Sequence, residues 1–245
     1  MLPTAIQFKP QFQSIFDRRG RSGCCLIHTA GHEATFGCGL DKAHVRMRPM
    51  STFKVLNSLI ALETGVIDTA EELDWDGGPA WRDDLKTPMN LSKALSSSAL
   101  WFFQILARRI GVDRYRRYLT QCGYGNAECG GAIDSFWLNG SLLVSPLEQL
   151  AFVSKFADSE LPFAKSVLSA VQQMFVLESP TEGVLRGKTG YTDSNNEHFG
   201  RLIGYLSAVA ESVMVVTLLD MSDASQLAER REIAEECLRL RAIEK

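Results

Sequence analysis

Segments with the residue pattern of β-strands lie at both ends of this chain, whereas its middle has the pattern of helices. Residues 22–38 predict a hairpin, because two β-leaning runs flank Ala30-Gly31. Three further runs alternate or stay apolar over strand lengths, and they lie at 184–191, 201–209 and 213–220. Strands this far apart in sequence can share one sheet only if the middle of the chain leaves that sheet and returns.

This arrangement predicts an α+β fold. We expect a mostly antiparallel sheet built from residues 1–50 and 185–245 and flanked by terminal helices. A mainly helical lobe of residues 51–184 would be inserted between the two halves of the sheet, and the lobes would form one catalytic unit. A binding site is then expected in the cleft between them.

Helical periodicity fills the middle of the sequence. The segment that starts at Ser51 ends at Gly65, a residue type common just after helix C-termini. The run Ser145-Pro146-Leu147-Glu148 has the sequence of a capping box with proline at the first helical position, so a helix should start there. The remaining predicted helices are 90–110, 113–122, 161–175 and, after the last strand, 224–242.

Composition limits the classes of partner. With 26 Lys and Arg against 29 Asp and Glu, the net charge is −3, and a nucleic-acid or anionic-membrane partner would need a basic face. No apolar run reaches the roughly 18–20 residues that span a bilayer. The first residues show no basic head followed by an apolar stretch, so no secretory leader is visible. The chain is therefore expected to be either cytoplasmic or a mature form with an added Met1.

The six cysteines predict no metal site, because they form no C-x-x-C pair and no zinc-like cluster with the four histidines. Two pairings stay open. Cys122 could bridge to Cys129 across a glycine-rich loop, and Cys24 or Cys25 could reach Cys38 across the hairpin. Free buried thiols that pack as small hydrophobic groups are at least as compatible with the sequence.

Ser51 and Lys54 are the first candidate catalytic pair. Positions i and i+3 share a helix face, so the hydroxyl and the amine come within reach of each other. A serine at a helix N-terminus also faces backbone N–H groups that favour an anionic intermediate. Burial would depress the pKa of the lysine and let the neutral amine act as a base, whereas a capping serine beside a solvated lysine is the ordinary alternative.

Two further motifs add hydroxyl groups and a cation. Ser98 lies in a serine run within the predicted 90–110 helix, where it either bonds back to helix carbonyls or relays a proton. Lys188-Thr189-Gly190 lies on a predicted strand and would offer a cation and a hydroxyl to a substrate carboxylate. Its glycine would let the substrate approach the strand backbone.

Trp137 and Arg230 complete the candidates. Trp137 is an ordinary core aromatic whose indole N–H must still find an acceptor if it is buried. Arg230 starts the apolar stripe Ile233, Ala234 and Cys237 of the last helix, so it should face the sheet and could hold a carboxylate. Arg231 points about 100° away and should be solvated near Glu235.

The ordered set of motifs resembles the class D, or oxacillinase-type, serine β-lactamases. The resemblance rests on Ser51-Thr52-Phe53-Lys54, Ser98-Ala99-Leu100, Tyr124-Gly125-Asn126, Phe136-Trp137-Leu138-x-Gly140 and Lys188-Thr189-Gly190, with LETGVI at 62–67 and GGAIDSFW at 130–137. It runs from about Phe36 to the C-terminal helix. It implies the fold shared by serine β-lactamases and penicillin-binding proteins, β-lactams as the small-molecule substrates, and a periplasmic or secreted location.

The resemblance also implies residue roles. Ser51 would attack the lactam carbonyl, Lys54 would carry a CO2-derived carbamate as general base, and no other cofactor is expected. Ser98 would relay a proton, Trp137 would donate to the carbamate, and the backbone N–H groups of Ser51 and Tyr191 would form the oxyanion hole. The implied substrate-binding residues are Leu100, Tyr124, Leu138, Lys188, Thr189, Gly190 and Arg230.

Two departures from the family pattern bear on the site. Leu100 stands where the family usually has valine, so packing around Lys54 should differ. Arg201 replaces part of a tryptophan-rich strand, and it would bring a charge to the site mouth or lie solvated at an edge. The alternatives to a hydrolase are a β-lactam receptor that stays acylated and, with less support, a cell-wall transpeptidase.

Overall fold

The computed structural model describes residues 5–177, 184–192, 198–207 and 212–242. The strands are β1 (Ile6–Phe8), β2 (Gly23–Thr29), β3 (Thr35–Cys38), β4 (Glu72–Leu73), β5 (Met89–Asn90), β6 (Val184–Thr192), β7 (Phe199–Ser207) and β8 (Ser212–Asp220). The helices are α1 (Pro10–Arg18), α2 (Lys54–Glu63), α3 (Leu91–Ser97), α4 (Leu100–Ile110), α5 (Val112–Cys122), α6 (Pro146–Ala157), α7 (Lys165–Met174) and α8 (Glu229–Ala242). Short 3₁₀ turns occupy Met50–Phe53, Asp83–Leu85 and Ala224–Ala228.

The main sheet has six strands in the order β1-β3-β2-β8-β7-β6. Strands from both ends of the chain therefore share it, and every pairing is antiparallel except that of β1 with β3. The α+β fold predicted from the sequence is confirmed, as is the hairpin, in which β2 pairs with β3. Dividing the chain into lobes at residues 50 and 185 stays a prediction.

The centre of the sheet is buried on both faces, which explains why the central strand β8 is a nearly continuous apolar run. Along β8, Met214, Val216 and Leu218 join a core shared with the helices of the middle of the chain. The alternate residues Val213, Val215 and Leu219 join a second core that includes side chains of α1 and α8. The molecule therefore has three layers, with the sheet between two sets of helices.

The predicted helix 90–110 is wrong as one element, because Ser98 breaks it into α3 and α4. Ser98 has φ 61° and ψ 34°, a left-handed conformation that no α-helix interior contains. The two preceding serines turn their hydroxyls back to the carbonyl of Lys93 instead of supporting a continuous helix. Ala99, with φ −61° and ψ 108°, then starts α4 in a new direction.

Other predicted boundaries were close. The capping box at Ser145 is present with both of its hydrogen bonds, and α5 begins one residue before its predicted start. The helix predicted over 161–175 begins only at Lys165, because Ala164, with a ψ of 140°, is the non-helical N-cap. The last predicted helix is a 3₁₀ turn followed by α8. Strand β7 ends at Ser207, and residues 208–211 lie outside the described part of the chain.

The cysteines form none of the bridges that the spacing left open. All six lie in the described residues, and each is a buried free thiol. Burial raises the pKa of Cys122 to about 12, which keeps that thiol protonated and unreactive. Within the described ranges, no three His, Cys, Asp or Glu side chains are grouped to hold a metal ion. None of the described helices is both long and apolar enough to cross a bilayer.

Candidate active site

The serine turn that leads into α2 is held in an unusual backbone conformation. Met50, just before Ser51, has a φ of 52°, which is uncommon for any residue but glycine. Its N–H donates to the carbonyl of Trp137 at 3.2 Å. Gly190 of β6 lies against the other side of the turn. A Cβ there would lie 3.2 Å from the carbonyl oxygen of Pro49 and 3.3 Å from the backbone nitrogen of Ser51.

Lys54 lies at the centre of a three-residue constellation. Its Nζ is 2.8 Å from Ser51 Oγ, 3.0 Å from Ser98 Oγ and 3.0 Å from the carbonyl oxygen of Ser98. The predicted triad of Ser51, Lys54 and Ser98 is therefore brought together. The left-handed backbone of Ser98 makes this possible, because at the helix break both its hydroxyl and its carbonyl face the amine.

The surroundings of Lys54 favour its neutral form. The side chain is 1% exposed, and burial, with a smaller contribution from the positive charge of Lys188, lowers the pKa of its amine well below the ordinary value. Phe103 presents its ring 5.6 Å from the amine. Leu100 and Leu138 are half-buried and pack against the same core. A neutral amine can accept the proton of Ser51, which a solvated lysine cannot do.

Trp137 is fully buried and its indole N–H has no hydrogen-bond partner. The ring stacks on Phe53, the residue before Lys54, with centroids 5.4 Å apart. A buried unsatisfied N–H costs roughly 1–3 kcal/mol, so it is an unusual feature for a residue that only packs. This unused donor fits a site that accepts an additional oxygen-bearing group.

Two cations lie together at the strand that borders Ser51. Lys188 is 6% exposed, and burial, followed by the charge of Arg230, lowers its pKa to about 7. Arg230 Nη1 donates to the carbonyl of Gly190 at 3.0 Å, its buried Nε has no partner, and burial lowers its pKa to about 10. Thr189, which follows Lys188 on β6, is half-buried. Such a pair is suited to bind a carboxylate.

The helical phase of α8 is as predicted. Ile233, Ala234 and Cys237 are fully buried, and Arg230 shares their side of the helix. Arg231 instead donates to Glu235 at 2.7 Å, but Arg231 is half-buried and Glu235 is buried, so the prediction that Arg231 is solvated is wrong. The missing side chain of Gly190 admits the serine turn against the strand, a contact that the sequence did not predict. That Gly190 also lets a substrate approach the strand backbone stays a prediction.

Tyr124 does not line an open surface. It is fully buried, with its ring 6.0 Å from Phe53 and 5.1 Å from Phe152, and burial raises its pKa to about 12. It therefore supports the site from behind rather than facing a substrate. Tyr191 is half-buried and packs against the second core, on the strand that carries Gly190.

Both sequence-based expectations for Arg201 are wrong. It is neither at the site mouth nor solvated, but is 1% exposed, and its Nη1 donates to Gln149 Oε1 and to the carbonyl of Val144, both at 3.1 Å. Sequence reasoning missed Gln149 and Thr52, which are also fully buried. The available signal was the charge itself, inside an otherwise apolar strand.

Comparisons with known proteins agree with this geometry. The penicillin-binding protein transpeptidase domain family matches residues 38–239. Probable β-lactamase YbxI of Bacillus subtilis is 37% identical over 201 residues, which cover 82% of this chain and 75% of YbxI. Regulatory protein BlaR1 of Bacillus licheniformis is 36% identical over 197 residues, which cover 80% of this chain and 33% of BlaR1.

Two solved structures of class D β-lactamases superpose closely on this chain. The class D β-lactamase FUS-1 (OXA-85) of Fusobacterium nucleatum subsp. polymorphum superposes with a TM-score of 0.92 at 30% identity, covering 98% of this chain and all of that one. The class D β-lactamase YbXI from Nostoc has a TM-score of 0.88 at 34% identity, covering 93% of this chain and 97% of that chain.

The fold and the Ser51–Lys54 pair define a serine acyl-transfer enzyme of the penicillin-binding type. Within that class, the chain belongs to the class D serine β-lactamases.

Proposed function

We propose that this enzyme hydrolyses the amide of penicillin- and cephalosporin-type antibiotics through an acyl-enzyme on Ser51. The observation that carries the proposal is the position of a buried amine with a depressed pKa between two hydroxyl groups. The carboxylate common to these antibiotics would be bound by Lys188, Thr189 and Arg230. β-Lactams act outside the cytoplasm, so a periplasmic or secreted enzyme is part of the proposal.

Acylation begins when Ser51 Oγ attacks the lactam carbonyl and its proton passes to neutral Lys54 over 2.8 Å. The backbone N–H groups of Ser51 and Tyr191 would stabilise the resulting oxyanion. The ring C–N bond then breaks, and Ser98, 3.0 Å from Lys54, passes the proton on to the leaving nitrogen. Water then attacks the ester with Lys54 as base, and Ser51 regains its proton.

The residues around Lys54 fit a carbamate made from CO2. CO2 reacts only with a neutral amine, which burial favours here, and the free indole N–H of Trp137 is a donor for the new oxygens. When present, the carbamate would supply an anionic oxygen base for deacylation that stays deprotonated near neutral pH. Leu100 and Leu138 would keep that pocket apolar.

A receptor function is the second candidate, because BlaR1 is similar to this chain over 197 residues. A receptor would share acylation of Ser51 and lack efficient deacylation. A transpeptidase is a weaker alternative, because the Ser98 motif ends in Leu100 rather than an asparagine.

Turnover of a chromogenic cephalosporin by the purified protein tests the proposal. We expect sustained hydrolysis that Ser51→Ala abolishes and Lys54→Ala reduces to nearly nothing. Acid-treated enzyme should regain activity when bicarbonate is added. Full activity of Lys54→Ala would contradict the proposed base.

A further inference from the structure

A buried arginine connects the sheet to the serine turn. Arg201 lies on β7, where it is the cross-strand partner of Gly190 on β6, the residue that contacts the turn. Burying a guanidinium group costs free energy, so packing alone does not explain an arginine inside a strand. Its contacts with Gln149 and Val144 lead in two directions toward the segment that carries Ser51.

The first direction runs through two side chains. Gln149 of α6 accepts from Arg201 and donates through its Nε2 to Thr52 Oγ1 at 2.8 Å. Thr52 in turn donates to the carbonyl of Pro49. These bonds therefore join Arg201 to residues on both sides of Ser51.

The second direction runs through the backbone. The carbonyl of Val144 accepts from Arg201 at 3.1 Å and from the N–H of Met47 at 3.2 Å. The N–H of Val144 donates back to Met47 at 2.8 Å. Arg201 thus also holds the strand-like segment that leads into the serine turn.

Such anchoring matters because the turn is strained. Met50 keeps its φ of 52° only if the surrounding structure holds it there. The proposed oxyanion hole takes one N–H from the turn, at Ser51, and one from the sheet, at Tyr191. The distance between these two N–H groups depends on how the serine turn lies against β6. Arg201 connects β7, the strand next to β6, to that turn.

We infer that Arg201 is a positioning residue, which acts through Gln149 and Thr52 to hold Ser51 in register with the sheet for acyl transfer. The inference rests on the proposed acylation of Ser51. It does not depend on turnover, since hydrolase and receptor share the acylation step.

Two pairs of variants separate positioning from general stability. Gln149→Glu keeps an acceptor for Arg201, as an ion pair, but loses the amide hydrogen that is donated to Thr52. Thr52→Val removes the hydroxyl at nearly constant volume, whereas Thr52→Ser retains it. Gln172→Glu is the matched control, because this α7 glutamine donates to the carbonyl of Phe156 at 2.7 Å and lies outside the network.

The measurement is the rate constant for acylation of Ser51 by penicillin, with the melting temperature of each variant. We expect Gln149→Glu and Thr52→Val to slow acylation roughly 10- to 100-fold, as a small displacement of a nucleophile does. Their melting temperatures should fall only by the modest amount that one unsatisfied buried polar group causes. Thr52→Ser should retain the wild-type rate, and Arg201→Met, if it folds, should behave like Thr52→Val.

The inference fails if Thr52→Val and Gln149→Glu acylate at the wild-type rate. It also fails if the rates of all variants, Gln172→Glu included, simply follow the melting temperatures. Wild-type protein that acylates once and does not turn over would contradict the proposed hydrolysis while leaving this test valid.

Discussion

The indole N–H of Trp137 is a buried donor without an acceptor, and Trp101 provides a matched comparison because its N–H donates to the carbonyl of Leu85 at 2.8 Å. Both Trp→Phe changes leave a similar cavity, but only Trp101→Phe breaks a hydrogen bond. Urea unfolding should therefore show Trp137→Phe to be the more stable variant, by about 1–3 kcal/mol.

The same pair tests the function of Trp137. If its N–H supports the base, Trp137→Phe should slow deacylation more than acylation. Mass spectrometry during turnover would then show a larger steady-state fraction of acyl-enzyme. Trp101→Phe should leave that fraction unchanged, and an unchanged fraction in Trp137→Phe would refute the role.

Arg230 and Arg231 are neighbours in sequence with opposite expected effects. Arg230 is half-buried and donates to the carbonyl of Gly190 beside Lys188, whereas Arg231, also half-buried, forms an ion pair with Glu235. The proposed partner of Arg230 is the substrate carboxylate. Loss of one partner of such a partly buried charge pair costs about 2–4 kcal/mol, so Arg230→Ala should lower kcat/KM roughly 30- to 1000-fold. Steady-state kinetics of Arg231→Ala should stay near wild type, and the reverse order would overturn the assignment.

At the scale of elements, the break between α3 and α4 has a conformational cost. Ser98 has a left-handed backbone conformation, which costs a non-glycine residue roughly 1–2 kcal/mol. Glycine avoids this cost, but it loses part of the gain because its unfolded chain has more conformational entropy. Ser98→Gly should therefore be more stable than Ser98→Ala by about 1 kcal/mol in thermal unfolding. Both should lose the proton relay. Equal stability of the two would show that the backbone there is not strained.

This break also shows where the sequence stops being informative. The hairpin and the long strands were predicted because period and turn residues are local signals. The helix break depends on hydrogen bonds of Ser98 to Lys54, 44 residues away, and β1 depends on pairing with distant β3. The position of Arg201 was predicted wrongly for the same reason, because its partners, Gln149 on α6 and Val144 just before α6, are distant in sequence.

The candidate site was more predictable than these connections. The motifs named Ser51, Lys54, Ser98 and Lys188 because each chemistry needs a particular side chain at a particular spacing. Motif spacing did not indicate that Tyr124 packs behind Phe53 or that Gly190 contacts the serine turn. Those placements follow from three-dimensional packing.

For the whole molecule, the buried Lys188 couples stability to pH. Its pKa is about 7 in the folded protein against 10.5 for an ordinary lysine. Below about pH 7 both states hold the proton, and the folded state bears the full cost of the buried cation. Between about pH 7 and 10.5 the unfolded state binds more protons, so this contribution to stability rises with pH.

The variant Lys188→Met isolates that contribution. It should be more stable than wild type at pH 7, and its advantage should shrink by up to about 1.4 kcal/mol per pH unit toward pH 10. Urea unfolding of both proteins across that range provides the measurement. A constant difference would mean that the pKa of Lys188 is not depressed.

The lifetime of acyl-Ser51 tests the central claim of hydrolysis most directly. The protein is mixed with a molar excess of penicillin. Intact-mass spectrometry then follows the acyl adduct until after the substrate is consumed. A buried base beside Ser51 predicts many moles of penicillin opened per mole of protein and an adduct that disappears once the substrate is exhausted. One equivalent consumed, followed by an acyl-protein stable for hours, would contradict the hydrolase and favour the receptor.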